Sequence, residues 1–120
     1  MRVAAPVSSD GQTVTTLVDA SEIVIWESDH PEREQRFPNP SVGATRQRRL
    51  AVTNFLVRER VHAVITVPES FCATSQRTAQ KAEILFLPVE PGTSLHHVQS
   101  EWKVYEPLLA TRVPLGWLHT

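Results

Sequence analysis

The chain has 120 residues, 41% of them hydrophobic and 21% charged, with a formal net charge of −1. That length allows one domain around one core and excludes a second, and the balanced composition excludes both a strongly basic polyanion binder and a disordered acidic tail. The single cysteine, Cys72, excludes an internal disulfide and any site made from several thiolates of one chain, and it fits a reducing compartment.

The first eleven residues, Met-Arg-Val-Ala-Ala-Pro-Val-Ser-Ser-Asp-Gly, read as a buried strand that delivers small polar groups to its carboxyl end. The chain thus starts in a strand and not in a signal segment, and no run reaches the ~18 apolar residues of a membrane span, so a cytoplasmic location is expected. After the Asp10-Gly11 turn, residues 13–17 form a brief extended piece. Ile23, Val24, Ile25 and Trp26 make 22–28 a strand, closed by a turn at Asp29-His30-Pro31. Residues 32–38 return along the sheet edge, and Pro38 and Pro40, which have no N–H to donate, end that strand.

Residues 40–45 are a loop, and 46–60 have helical spacing with Ala51, Val52, Phe55 and Leu56 on the inner face. A buried strand over 62–67 stops at Pro68, and Ser70 is placed to cap a helix over 71–82 whose inner face is Phe71, Ser75, Ala79 and Ala82. A further apolar strand over 83–89 turns at Pro91-Gly92. Thr93 or Ser94 then caps a helix with the stripe Leu95, Val98, Trp102 and Tyr105. Continuous apolar strands that alternate with helices predict parallel strands buried on both faces, here an α/β sheet of about five strands.

Pro107 stops the last helix, so the domain is drawn over 1–106 with an apolar C-terminal extension over 107–120. That extension has Leu108, Leu109, Val113, Leu115, Trp117 and Leu118 to bury. At roughly 25 cal/mol per Å² of apolar surface their burial is worth several kcal/mol. Two destinations are open: the extension's own domain, or a second subunit of a homodimer. Together with Trp102 these residues form the candidate interface.

The opening eleven residues, Val14-Thr15, the Phe37-Pro38-Asn39-Pro40 stop and the alternation of strands and helices resemble the NifX-like dinitrogenase iron-molybdenum cofactor biosynthesis family over residues 1–104. The resemblance implies a ribonuclease H-like three-layer α/β domain with helices on both faces. Its sheet would be five-stranded and mixed, of order 3-2-1-4-5, with only the second strand antiparallel. It also implies that an iron-molybdenum or iron-sulfur cluster is bound or carried, with a cofactor-biosynthesis protein as partner. The family's His-Phe-Gly motif is not retained: Leu17, Val18 and Asp19 stand in its place. The following loop, Ser41-Val42-Gly43-Ala44-Thr45, has no soft ligand either. Such clusters use thiolate or imidazole donors, and these loops offer none.

In the implied sheet order the first and fourth strands are parallel neighbours. Their following loops then flank one crevice, the usual ligand position in open α/β sheets. Ser8, Ser9, Asp10, Gly11 and Asp19 on one side and Glu69 and Ser70 on the other are the candidate ligand-binding residues, with the next helix start favouring an anion. The plainer reading of the same residues is a turn and a helix cap. His96 and His97 project about 100° apart on a helix, so they do not form an i, i+4 clamp; with Cys72 they are the residual metal candidates. Cys72 near a helix start reads as a reactive thiol or as a buried structural one.

Arg46, Arg48, Arg49, Arg58 and Arg60 read as a solvated helix face, and overall neutrality argues against nucleic acid. Cations at a helix amino end nevertheless oppose its dipole and invite an acidic partner. Two-metal nuclease chemistry needs converging carboxylates, whereas the first strand offers Val3, Ala4 and Ala5 and the fourth Ala63, Val64, Ile65 and Thr66. No nucleophile elbow is present. A non-catalytic protein is expected, with three roles open: handling a metal-sulfur cofactor, acting as a metal-free interaction module through 102–117, or binding a small anion in the crevice.

Overall fold

The structure, a computed structural model, describes residues 1–119 and leaves the Leu115 side chain outside the described residues. Its elements run β1 (Arg2–Val7), β2 (Glu22–Glu27), β3 (His30–Pro38), α1 (Arg48–Arg58), β4 (Ala63–Thr66), α2 (Ala73–Lys81), β5 (Leu85–Pro88), α3 (Leu95–Glu101) and β6 (Leu108–Leu109). Short 3-10 turns follow α3 and β6. The strands form one mixed sheet of order β3-β2-β1-β4-β5-β6. The sheet has six strands and not the expected five. Leu108 and Leu109 of the apolar extension supply the sixth strand, pairing antiparallel with Phe86 and Leu85 at the sheet edge. A two-residue strand has no periodicity to read, so it looks like apolar tail until the β5 edge is there to receive it.

Side-chain parity divides the core into two layers. Ala4, Ile23, Ile25, Val64 and Phe86 face α1 and α2, where Val52, Leu56 and Ala79 cover them. Val3, Ala5, Val24, Trp26, Ala63, Ile65 and Leu87 face Leu95 and Val98 of α3. Helices therefore lie on both faces. Phe71 stacks on Phe86 with ring centroids 4.3 Å apart, and Phe37 meets Phe55 edge-on at 5.3 Å, which fastens α1 to the edge strand.

Pro6 shapes the sheet at the end that matters for function. It sits in the central strand yet has no N–H, and its carbonyl accepts from Thr15 N at 3.0 Å. On the same side of β1, the Arg2 carbonyl accepts from His62 N, so the missing donor falls toward β4. The parallel β1–β4 register covers only Val3↔Ala63 and Ala4↔Val64. Beyond it the strands part, and the 15–19 turn enters beside them.

One buried side chain holds that turn. Asn39, 2% exposed, donates from Nδ2 to the Leu17 and Ala20 carbonyls at 2.8 and 2.7 Å and accepts from Ser41 N at 2.8 Å. The Pro38-Asn39-Pro40 stop is thus also an anchor between two loops. Asn39→Ala leaves two carbonyls and one N–H without this partner and is expected to cost about 3 kcal/mol in a urea unfolding titration.

Candidate functional site

Loops following β1, β3, β4 and β5 all emerge at one end of the sheet, because those strands run the same way. At this end a cleft of about 390 Å³ lies between the starts of α1 and α2, lined by Val18, Thr45, Arg46, Gln47, Arg48, Arg49, Leu50, Cys72 and Thr74.

The α1 wall is electropositive for two separate reasons. Gln47, the residue before the helix, has φ 50°, makes no side-chain cap, and is followed by a first turn without an acidic residue. The first amides of α1 therefore lack a side-chain acceptor and point their dipole end into the cleft. Arg46, Arg48 and Arg49 add three formal charges to that end, an arrangement that costs stability unless something negative faces it. Arg48 also ties the far wall in place by donating from Nη2 to the Val18 carbonyl at 3.0 Å. Val18 belongs to the three residues that stand where the resemblance puts His-Phe-Gly, so that position still contributes to a wall but without a donor.

On the α2 wall, Cys72 and not Ser70 occupies the cap position. Its N–H donates to Ser75 Oγ at 2.9 Å, and its Sγ lies 3.3 Å from the same hydroxyl. Burial pushes the thiol up from its ordinary value of 9.0. Hydrogen bonds from the Ser75 hydroxyl and from the Ser75 and Thr74 amides, with the Arg49 charge, outweigh that and leave it lowered. A thiolate at this point is stabilised by groups that are already in place. Ser70 is fully buried beside it, and its hydroxyl has no hydrogen-bond partner among the described residues.

The crevice expected between residues 8–11 and 69–70 is divided by what packs into it. Residues 8–14 turn toward the start of α3: Val14 N donates to the Thr93 carbonyl and Leu95 N to the Gln12 carbonyl. Asp10 is occupied within its own turn, accepting from Ser8 Oγ, from Thr13 Oγ1 and from the Gln12 and Thr13 amides. Bonds from Thr13, Gln12 and Ser8 hold its carboxyl well below the usual carboxylate range. Ser9 is exposed on the same turn, and Gly11, at φ +70°, receives Arg36 on its carbonyl. Asp19 closes a local turn with Thr16. Glu69 is drawn the other way, where its N–H donates to the Trp117 carbonyl at 2.7 Å.

His96 and His97 lie on α3, across the sheet from Cys72, so the residual metal candidates do not meet. Among the described residues no group of three or more His, Cys, Asp or Glu is placed to hold a metal ion. The interface candidates are also dispersed. Trp102 borders a groove with Ser28 and Asp29 at the opposite end of the sheet, whereas Trp117 lies beside Glu69. Val113 is buried, Leu118 packs against the α1–α2 core, and Leu109 remains 57% exposed. The backbone of Leu115 opens the last 3-10 turn.

Sequence reasoning noticed Cys72 and the misplaced arginines separately and missed that they share a cleft with Thr45, Gln47 and Thr74. The available signal was the basic run at an uncapped helix start.

The fold and this cleft define a mixed α/β domain with a basic, thiol-bearing mouth. No protein-family model matches the chain, and no curated protein matches it. Among solved structures it is similar to the NMR structure of "a putative NifB protein from Thermotoga", which belongs to the DUF35 family. The TM-score is 0.65 at 19% identity, over 96% of this chain and 98% of that one. The likeness is one of fold. No helix of the structure is long and apolar enough to cross a membrane.

Arg49→Gln removes the charge beside the thiol. Cys72 is therefore expected to ionise below 9.0 in the wild type and at higher pH in the variant, as read from thiolate absorbance during a pH titration. Equal midpoints would detach Arg49 from the site.

Proposed function

We propose that the protein is a non-catalytic accessory protein that handles an anionic, preassembled metal-sulfur cofactor as cargo, on a domain of ribonuclease H-like type. The observation that carries this reading is the convergence of the Cys72 thiol, three arginines and the uncapped start of α1 on one cleft. A thiolate is a soft donor suited to a sulfide-bridged cluster, while guanidinium groups and helix amides balance the negative charge of such a cluster.

A cluster assembled and held by the chain alone would require several soft donors, which the described residues do not bring together. The cleft fits cargo whose internal bonds are already made and that has one open coordination position. Iron-molybdenum cofactor carriage, implied by the resemblance, is of this kind, and the nif-related name of the Thermotoga neighbour is compatible with it. Supply and removal of the cargo then fall to a cofactor-biosynthesis partner.

A small oxyanion is the second reading, favoured by the same arginines and amides. Anaerobic incubation with tetrathiomolybdate, a metal-sulfur anion whose internal bonds are already made, followed by gel filtration and metal analysis, separates the two. Retained metal that disappears in Cys72→Ser supports cofactor handling. Less than about a tenth of a metal per chain contradicts it, since coordination bonds hold their ions through filtration. Thermal stabilisation by phosphate without metal retention selects the oxyanion.

A further inference from the structure

The sheet ends in two unlike edges. β6 offers two residues, whereas β3 runs for nine, and among the described residues no strand pairs with its outer side. Between Pro31 and Pro38 the stretch Glu-Arg-Glu-Gln-Arg-Phe keeps every backbone N–H. The register on β2 fixes which of these groups face outward. Asn39 N donates to the Ser21 carbonyl at 3.1 Å, and the pairing continues as Ile23↔Phe37, Val24↔Arg36 and Ile25↔Gln35. Successive residues of an antiparallel strand turn their peptide groups to opposite sides, so Phe37 and Gln35 bond to β2 while Glu34 and Arg36 point theirs away from the sheet. The side chains of these two outward residues share one face, where Arg36 Nε donates to Glu34 Oε2 at 2.7 Å. An open row of donors and acceptors is a template for another strand.

We propose that the outer edge of β3 is the contact of a symmetric homodimer, in which two copies pair antiparallel about a two-fold axis through Gln35. Only an axis through a residue sets outward peptide groups against outward peptide groups, which leaves Glu34, Gln35 and Arg36 as centres of this stretch. An axis through Glu34 places two carboxylates directly opposite each other, and one through Arg36 two guanidinium groups, and like charges so placed repel. An axis through Gln35 places Glu34 opposite Arg36 of the partner subunit, twice, and each such pair exchanges both of its backbone hydrogen bonds. Every charge then has its opposite along its own strand and across the axis. The mixed charges that discourage a foreign strand thus suit a second copy of this chain in one register. Two single strands bury little surface, so the dimer is a weak one, and salt weakens it further.

The full-length reduced protein is tested by sedimentation equilibrium at low salt, over a concentration series reaching about 1 mM, the range in which weak association shows. The average mass is expected to rise toward twice that of the chain. Glu34→Arg and Arg36→Glu each set like charges across the axis and are expected to weaken association at least about tenfold. An equal mixture of the two variants is expected to regain it, because each brings the charges that the other lacks, and that recovery also shows both variants to be folded. In a Cys72→Ser background, Gln35→Cys places two thiols in a non-hydrogen-bonded pair with Cα atoms about 4.5 Å apart, so mild oxidation is expected to close an intermolecular disulfide. Arg33 faces Phe37 of the partner subunit in this register, so Arg33→Cys in the same background is expected to stay uncrosslinked.

A chain that sediments as a monomer throughout the series overturns the dimer. Association that neither charge reversal weakens, or crosslinking through Arg33→Cys as readily as through Gln35→Cys, overturns the β3 contact and its register. None of these outcomes depends on what the cleft binds.

Discussion

A strand buried on both faces must satisfy its peptide groups along both edges, and Pro6 breaks that condition at one point. The missing N–H falls on the β4 side, so the β1–β4 register ends after Ala4↔Val64 and the Pro6 carbonyl turns to Thr15. An unpaired buried carbonyl would cost about 1–3 kcal/mol, which is why the 15–19 turn is drawn in where the strands part. Asn39 then fixes that turn by bonding two of its carbonyls. Val18 becomes a wall of the cleft because of a proline twelve residues earlier in the chain. Backbone accounting in the central strand thus positions the site.

The cleft itself is an electrostatic imbalance kept in place by packing. α1 starts with a left-handed Gln47, no cap and three nearby arginines, each unfavourable for an isolated helix. Burial of Val52 and Leu56 and the contact of Phe55 with Phe37 hold the helix there all the same. A surface that is unfavourable by itself and favourable toward an anion is what an anionic ligand requires. The thiol at the opposing helix start adds a donor that charge alone does not supply. On the remaining side, the tail closes over the β4–α2 loop by backbone bonds, and the cleft lies on the α1 side of that loop.

Much of the fold was legible because its signals are local. Continuous apolar runs at 62–67 and 83–89, each with a helix behind it, gave the parallel strands; the resemblance supplied their order, and the structure contains that order within its six strands. The Pro38 stop and the α3 cap at Ser94 were likewise readable from single residues. What failed depends on register or on distance. Leu108-Leu109 is a strand only because β5 offers an edge. Ser70 looked like the cap, but the helix starts after Cys72, whose amide finds Ser75. Asp10 read either as a group at a mouth or as part of a turn, and only the fold shows the four donors that converge on it from within that turn. The arginine run was read as a solvated face. Only the fold shows that Arg49 stands beside a thiol from another helix.

The central claim is that an anionic metal-sulfur group binds at the α1–α2 mouth. Titration of tetrathiomolybdate, a diamagnetic molybdenum-sulfur dianion, into isotope-labelled protein, followed by amide NMR, tests it most directly. The account predicts shifts concentrated at Val18, at residues 46–49 and at residues 72–74 around the cleft. Shifts confined to residues 8–11 or to His96 and His97, or no shifts at all, would contradict it.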